Sequence, residues 1–154
     1  MGDKYANGFI SGLAGGVAAA ATNLLLILFL KFGNVMFGDF AGVLVFGYLP
    51  KSFWEIAIAY LVYFGFAGTL GVIFAYLIPV LSFKYFLFKG IHFGIGVWFF
   101  SYVITLLFKV PELMDISLKS AVTNFLASFV YGLVMAMVLR WLCTRATKRE
   151  ENMG

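Results

Sequence analysis

Cysteine is almost missing from this chain: Cys143 stands alone among 154 residues. That excludes an intramolecular disulfide and every multi-cysteine metal motif, and it leaves the redox compartment unreadable. Charge is scarce as well. Asp, Glu, Lys and Arg together make up 12% of the residues, about half the ~25% usual for a soluble domain. The first apolar stretch holds no acid, there is one histidine, and no nucleophile stands beside a base within an apolar stretch. Paired carboxylates and metal-ligand clusters are also lacking within the apolar stretches, so neither an enzyme nor a cofactor is expected.

What is present is oil-seeking. Hydrophobic residues fill 63% of the chain and the mean hydropathy is +1.00. The charges cluster, leaving apolar runs too long for globular core helices, so the lipid bilayer is the expected surroundings and main partner. The formal net charge of +4 reads through loop topology, and nucleic acid is not an expected partner.

Crossing ~30 Å of hydrocarbon at ~1.5 Å per residue takes about 20 residues. Four stretches qualify, at about 8–30, 54–77, 90–108 and 118–141, with Pro79 ending or kinking the second and a polar tail over 142–154. The first stretch reads as a retained span, because Leu24 to Leu30 stay apolar beyond Ala18, Ala19 and Ala20, the small residues at which a leader would be cut. Two connections are unusual. "AGVLVFGYLP" at 41–50 is too apolar for an ordinary loop and too short to span, which predicts an interfacial or re-entrant segment near residues 40–49. "VLSFKYFLFK" at 80–89 interleaves aromatics with lysines and reads as a surface-lying extension of a neighbouring helix. The expected fold is all-α: one polytopic domain over residues 1–154, a bundle of four transmembrane helices.

An even number of spans puts both termini on one side. Lys4, Lys84, Lys89, Arg140, Arg145, Lys148 and Arg149 share that side, against Lys31, Lys51, Lys109 and Lys119 opposite. The acids Asp3, Glu150 and Glu151 lie with the termini and Asp39, Glu55, Glu112 and Asp115 opposite, giving +4 on the terminal face and zero on the other. The positive-inside rule then predicts cytoplasmic termini.

Glycine and alanine are patterned. Gly8, Gly12, Gly16 and Ala20 recur every four residues, so they stack into one ridge along the first span. Ala67 with Gly71, Gly90 with Gly94, and Ser128, Gly132 and Ala136 form similar seams on the other spans. Such ridges let backbones approach closely, within a chain or between copies, so a homo-oligomer or a larger membrane complex is a further possible partner. A narrow passage is the other reading of a small-residue ridge.

Polar residues inside the spans share a depth. "AATNLL" at 20–25 has a near copy, "AVTNFL", at 121–126. Counting from Lys31 and Lys119 sets Asn23 and Asn124 roughly 8 to 12 Å below the far boundary, and Thr105 and Ser101 lie at about 6 and 12 Å. Glu55 marks the mouth of the second span, with Tyr60 and Tyr63 deeper. Asn23, Asn124, Ser101, Thr105, Tyr63 and Glu55 are thus the candidate site: a hydrated pocket offering amide and hydroxyl oxygens to a small polar solute or a cation, a divalent metal included. The bland reading is mutual hydrogen-bonded glue between helices. His92 is the weak metal candidate, with no second ligand nearby in sequence.

The stretches "GYLPKSFWEIAIAYLVYFGFAGTLGVIFAYLIP" and "LFKGIHFGIGVWFFSYVITLLFKVPEL" resemble a group of small bacterial membrane proteins of unassigned function, similar in style to the YqhR-type proteins. The resemblance covers residues 8 to 141, rests on span spacing and loop flavour, and implies a bacterial inner-membrane location without a mechanism. Small multidrug exporters share the size and span count but carry a working glutamate in their first helix, which this chain lacks. Transport or permeation is the leading functional expectation; a non-transporting accessory, anchor or assembly subunit is the alternative.

Overall fold

A computed structural model of the chain describes residues 3–29, 31–33, 35–81, 84–114 and 116–151. Leu30, the expected end of the first span, and Asp115, counted on the far face, lie outside the described residues, as do the side chains of Lys148, Arg149 and Glu150. The described residues form five α-helices and no strand: α1 (Lys4–Leu24), α2 (Phe37–Phe46), α3 (Phe53–Leu81), α4 (Phe86–Leu107) and α5 (Leu118–Glu151). Four of them are long and apolar enough to cross a membrane, and the expected all-α four-span architecture holds.

Each helix end has a local cause. Asp3 caps α1 by accepting from the Tyr5 N–H at 2.9 Å. At its other end α1 widens into a π-helical turn, Leu25–Phe29, and the chain leaves through Lys31, whose φ of 49° is left-handed. α3 runs two residues past Pro79 and ends at Leu81; proline has no N–H to bond the Ala75 carbonyl one turn back, and the helix stops within a turn of it. The segment at 80–89, expected to extend the second or third span, extends both: 80–81 close α3 and 86–89 open α4, with Tyr85 turning the chain at φ 58°. The tail expected after Trp141 is helical to Glu151. Good helix formers carry it, and Arg145 lies 3.8 Å over the Trp141 ring.

α1 and α5 form the middle of the bundle. α1 packs against α3 on one side and α5 on the other, α4 packs on the outer side of α5, and α3 and α4 scarcely touch although they are consecutive. The small-residue ridges decide this order. A methyl group at Gly12 would run into the Ala67 carbonyl, and one at Gly71 into the Gly8 carbonyl, so the Gly8, Gly12 and Gly16 ridge meets the Ala67 and Gly71 seam of α3. Gly90 and Gly94 of α4 meet Ser128, Gly132 and Ala136 of α5 in the same way. Ala20, the fourth member of the expected ridge, is only half-buried.

A second ridge on α1 was not separated from the first by sequence. Ser11, Gly15, Ala19 and Asn23 are all buried, and a methyl at Gly15 would lie 2.8 Å from the Tyr131 carbonyl of α5. Offset by one residue, this ridge sits about 100° round the helix from the first, which sets the angle between α3 and α5.

α3 and α4 are bridged at the terminal face by Phe74, whose ring lies 5.8 Å from Phe86 and 5.3 Å from Phe93. Toward the far face they diverge, and α2 fills the gap. Its Phe40 ring lies 5.6 Å from that of Tyr102 on α4, and its Gly38 lies against the Tyr60 ring of α3. Tyr60 is seven residues into α3, so α2 dips roughly 10 Å into the bundle. The apolar connection at 41–50 is thus a short helix wedged between two spans, with Phe40, Ala41 and Val43 buried.

Candidate functional site

The two asparagines are brought together. Asn23 donates through Nδ2 to Asn124 Oδ1 at 2.7 Å, and the residues are 2% and 0% exposed, so they are enclosed by the bundle. Asn124 in turn donates through Nδ2 to the Val35 carbonyl at 3.3 Å and to Tyr102 Oη at 3.2 Å. Those two acceptors fix its amide orientation. Asn23 Oδ1 is then turned away from Asn124 and is buried with no partner.

Around this pair the first turns of α5 serve the irregular backbone that follows α1. Thr123 Oγ1 donates to the Phe32 carbonyl at 2.7 Å, and Ser120 Oγ accepts from the Val35 N–H at 3.3 Å. Ser120, Thr123 and Asn124 stand three and four residues apart and so share a helix face. Non-helical backbone at membrane depth is tolerated only where protein or water supplies its hydrogen bonds, and this face supplies them. The matching "TN" pairs therefore differ in role: Thr22 merely bonds back to the Ala18 carbonyl at 2.8 Å. Sequence reasoning missed Tyr102 and Ser120, and met Thr123 only as the threonine of the second Thr-Asn pair. Their shared face with Asn124 was the available signal for the last two, but the segment they serve is set by tertiary placement.

Ser101, Thr105 and Tyr63 are elsewhere. They line a cleft of about 220 Å³ between α3 and α4, together with Ala19 of α1, Phe37 and Leu44 of α2, and Tyr131 of α5. Four of the five hydroxyls in that lining donate to backbone: Ser101 to Val97 O at 2.8 Å, Thr105 to Tyr102 O at 2.8 Å, Tyr63 to Gly16 O at 3.1 Å and Tyr131 to Ala67 O at 2.8 Å. One further hydroxyl, of Ser128, closes the lining without altering its apolar character.

Glu55 stands apart from both groups. Its Oε2 accepts from the Lys51 and Ser52 N–H groups at 2.8 and 3.0 Å, its Oε1 from Tyr48 Oη at 3.0 Å, and its own N–H donates to Ser52 Oγ at 3.3 Å. Ser52 and Glu55 form a capping box at the start of α3, which the spacing S-x-x-E signals in sequence. The Glu55 carboxylate also holds the Tyr48 hydroxyl protonated above the usual tyrosine range. On α2, Asp39 caps similarly, accepting from the Met36 N–H at 2.7 Å, while burial pushes its carboxyl above the usual carboxylate range. Glu55→Ala is expected to speed amide exchange at Lys51 and Ser52 about tenfold, because both N–H groups lose their carboxylate acceptor. Unchanged exchange at both amides would show that the box does not hold the turn.

His92 is exposed on α4 and stacks on Phe88 with ring centroids 6.4 Å apart. Among the described residues no three of His, Cys, Asp and Glu gather where they could hold a metal ion. The polar layer is thus mainly amide and hydroxyl joined to backbone, an arrangement that can hold irregular backbone in oil and that leaves one amide oxygen over. No curated protein and no solved structure matches the chain. A family of unknown function, DUF6789, matches residues 3–150, nearly the whole length, and the chain belongs to that family.

Proposed function

We propose that the protein is a non-transporting membrane component, an accessory, anchor or assembly subunit, whose polar layer holds its own fold. One observation supports this above the others: the Asn23 and Asn124 pair is enclosed, and Asn124 spends its donors on Val35 and Tyr102. A path for a polar solute needs groups that face water, and the bonds of this layer run inward. The basic excess on the terminal face favours cytoplasmic termini. The resemblance to YqhR-type proteins favours a bacterial inner membrane.

A second reading, permeation of a small polar solute or cation, draws on one observation, the buried Asn23 Oδ1 without a partner. Such an atom is where a water or an ion would bind. The experiment is uptake into phosphatidylcholine vesicles containing the purified protein, followed by stopped-flow light scattering for glycerol and by fluorescent indicator for Mg²⁺ and K⁺. Rates equal to those of protein-free vesicles are expected. A saturable rate about tenfold above them, lost in Asn23→Leu, would overturn the proposal in favour of permeation.

A further inference from the structure

The cleft between α3 and α4 is closed on every side but one. α1 and α5 form its back through Ala19, Ser128 and Tyr131. Phe74 against Phe86 and Phe93 joins the two walls at the terminal face, and α2 closes the far end with Phe37, Phe40 and Leu44. The remaining opening is lateral, between two membrane-crossing helices, so it faces the bilayer interior. Leu44 and Phe66 at its edge are 69% and 59% exposed.

Three features define the occupant. First, the lining carries no charged side chain, and four of its five hydroxyls, those of Ser101, Thr105, Tyr63 and Tyr131, have already given their protons to backbone carbonyls. A polar solute would lose its hydration there with only the Ser128 hydroxyl to meet it, which costs several kcal/mol in an apolar site. Second, α2 occupies the far end of the cleft, so it lacks the full-depth groove that a second copy's span would need. Third, the cavity exceeds the ~150 Å³ that suffices for a benzene-sized apolar guest, and its walls forfeit dispersion contacts unless something fills them.

We propose that this cleft binds the hydrocarbon tail of a membrane lipid, admitted sideways and held between α3, α4 and the underside of α2. The site is distinct from the asparagine layer and does not depend on the reading given for it. The tail is held by packing alone, because lipid offers no hydrophobic driving force, so fit to the preformed cavity sets the preference over ordinary boundary lipid.

Phosphatidylcholine carrying a diazirine midway along one acyl chain tests this. The full-length protein is reconstituted in phosphatidylcholine vesicles doped with the probe, irradiated and mapped by peptide mass spectrometry. Labelling of Val62, Leu70, Val97 and Ile104, corrected for exposure, is expected to exceed that of the lipid-facing Leu61, Ile73 and Phe99 about tenfold, equivalent to about 1.4 kcal/mol of preference. In Val62→Phe with Val97→Phe, which fills the cavity, labelling of the remaining lining should fall to the level of the outer face. Labelling that follows exposure alone in the wild-type protein overturns the proposal whether or not the filled variant folds. Protection of the lining in a protein that runs as a dimer overturns it too, in favour of a second copy as the occupant.

Discussion

Gly132→Val is expected to leave no stably folded protein, or to cost about 3 kcal/mol or more where it folds, at the top of the range for overpacking. A methyl group at Gly132 would meet the Gly90 carbonyl oxygen and lie 2.8 Å from the carbonyl carbon and 3.0 Å from Ile91 Cα. Those atoms are main chain. Overpacking usually costs 1–3 kcal/mol because a side chain swings aside at some expense in rotamer energy, and a helix backbone has no such freedom. The contact is also reciprocal: Gly90 faces the Gly132 carbonyl, and Gly94 faces the Ser128 carbonyl. Separating α4 from α5 would remove its main packing partner, since α3 offers it little. Gly96 supplies the control. It lies two residues from Gly94, yet nothing stands within 4 Å of a methyl placed there, so Gly96→Ala should not destabilise and should gain up to about 1 kcal/mol, since alanine is easier than glycine to order in a helix interior. Unfolding in mixed dodecylmaltoside and SDS micelles, followed by circular dichroism, measures both. Equal stability of the two variants would mean that the α4 and α5 backbones are not in contact.

The seams were readable from sequence because glycine at four-residue spacing has few other uses in a lipid-embedded helix. Their pairing was not. In "GLAGGVAAAA" nearly every position is small, so the ridge through Gly15 and Ala19 carries the same signature as the one through Gly12 and Gly16. Which ridge meets α3 and which meets α5 is decided by the whole bundle. The spans were legible through length and hydropathy, whereas α2 was legible only as a segment that neither spans nor loops. Glu55 is placed at a span mouth by sequence, where a boundary carboxylate is expected, and the structure adds the local capping partners that its S-x-x-E spacing was there to signal. The shared depth of Asn23 and Asn124 was recoverable by counting residues from the boundary lysines. That Val35 and Phe32 lie beside them was not, because the irregular segment after the π-helical turn is placed by tertiary contacts alone.

Asn124→Leu should cost much more than Asn23→Leu, although the two amides bond to each other. Leucine matches asparagine in side-chain branching and is bulkier at both positions, so the difference between the two variants, rather than either cost alone, reports hydrogen bonding. Removing the Asn124 amide strands Asn23 Nδ2 and takes a donor from both Val35 O and Tyr102 Oη. Each buried polar group left unpaired costs about 1–3 kcal/mol, so a total of about 3 kcal/mol is expected, well above the ~0.6 average for a hydrogen bond between membrane helices. Asn23→Leu strands only Asn124 Oδ1, and it removes the Asn23 Oδ1 that had no partner to lose. These effects oppose, so the cost should stay near or below about 1 kcal/mol. The double variant should then be more stable than Asn124→Leu alone, because the second change removes an amide that the first has stranded at both ends. Unfolding of the four proteins in mixed micelles gives the cycle directly. Water reaching the layer would compensate every stranded group alike, so small and equal costs for the two single variants would argue that the layer is hydrated and would return the asparagines to the role of a solute path.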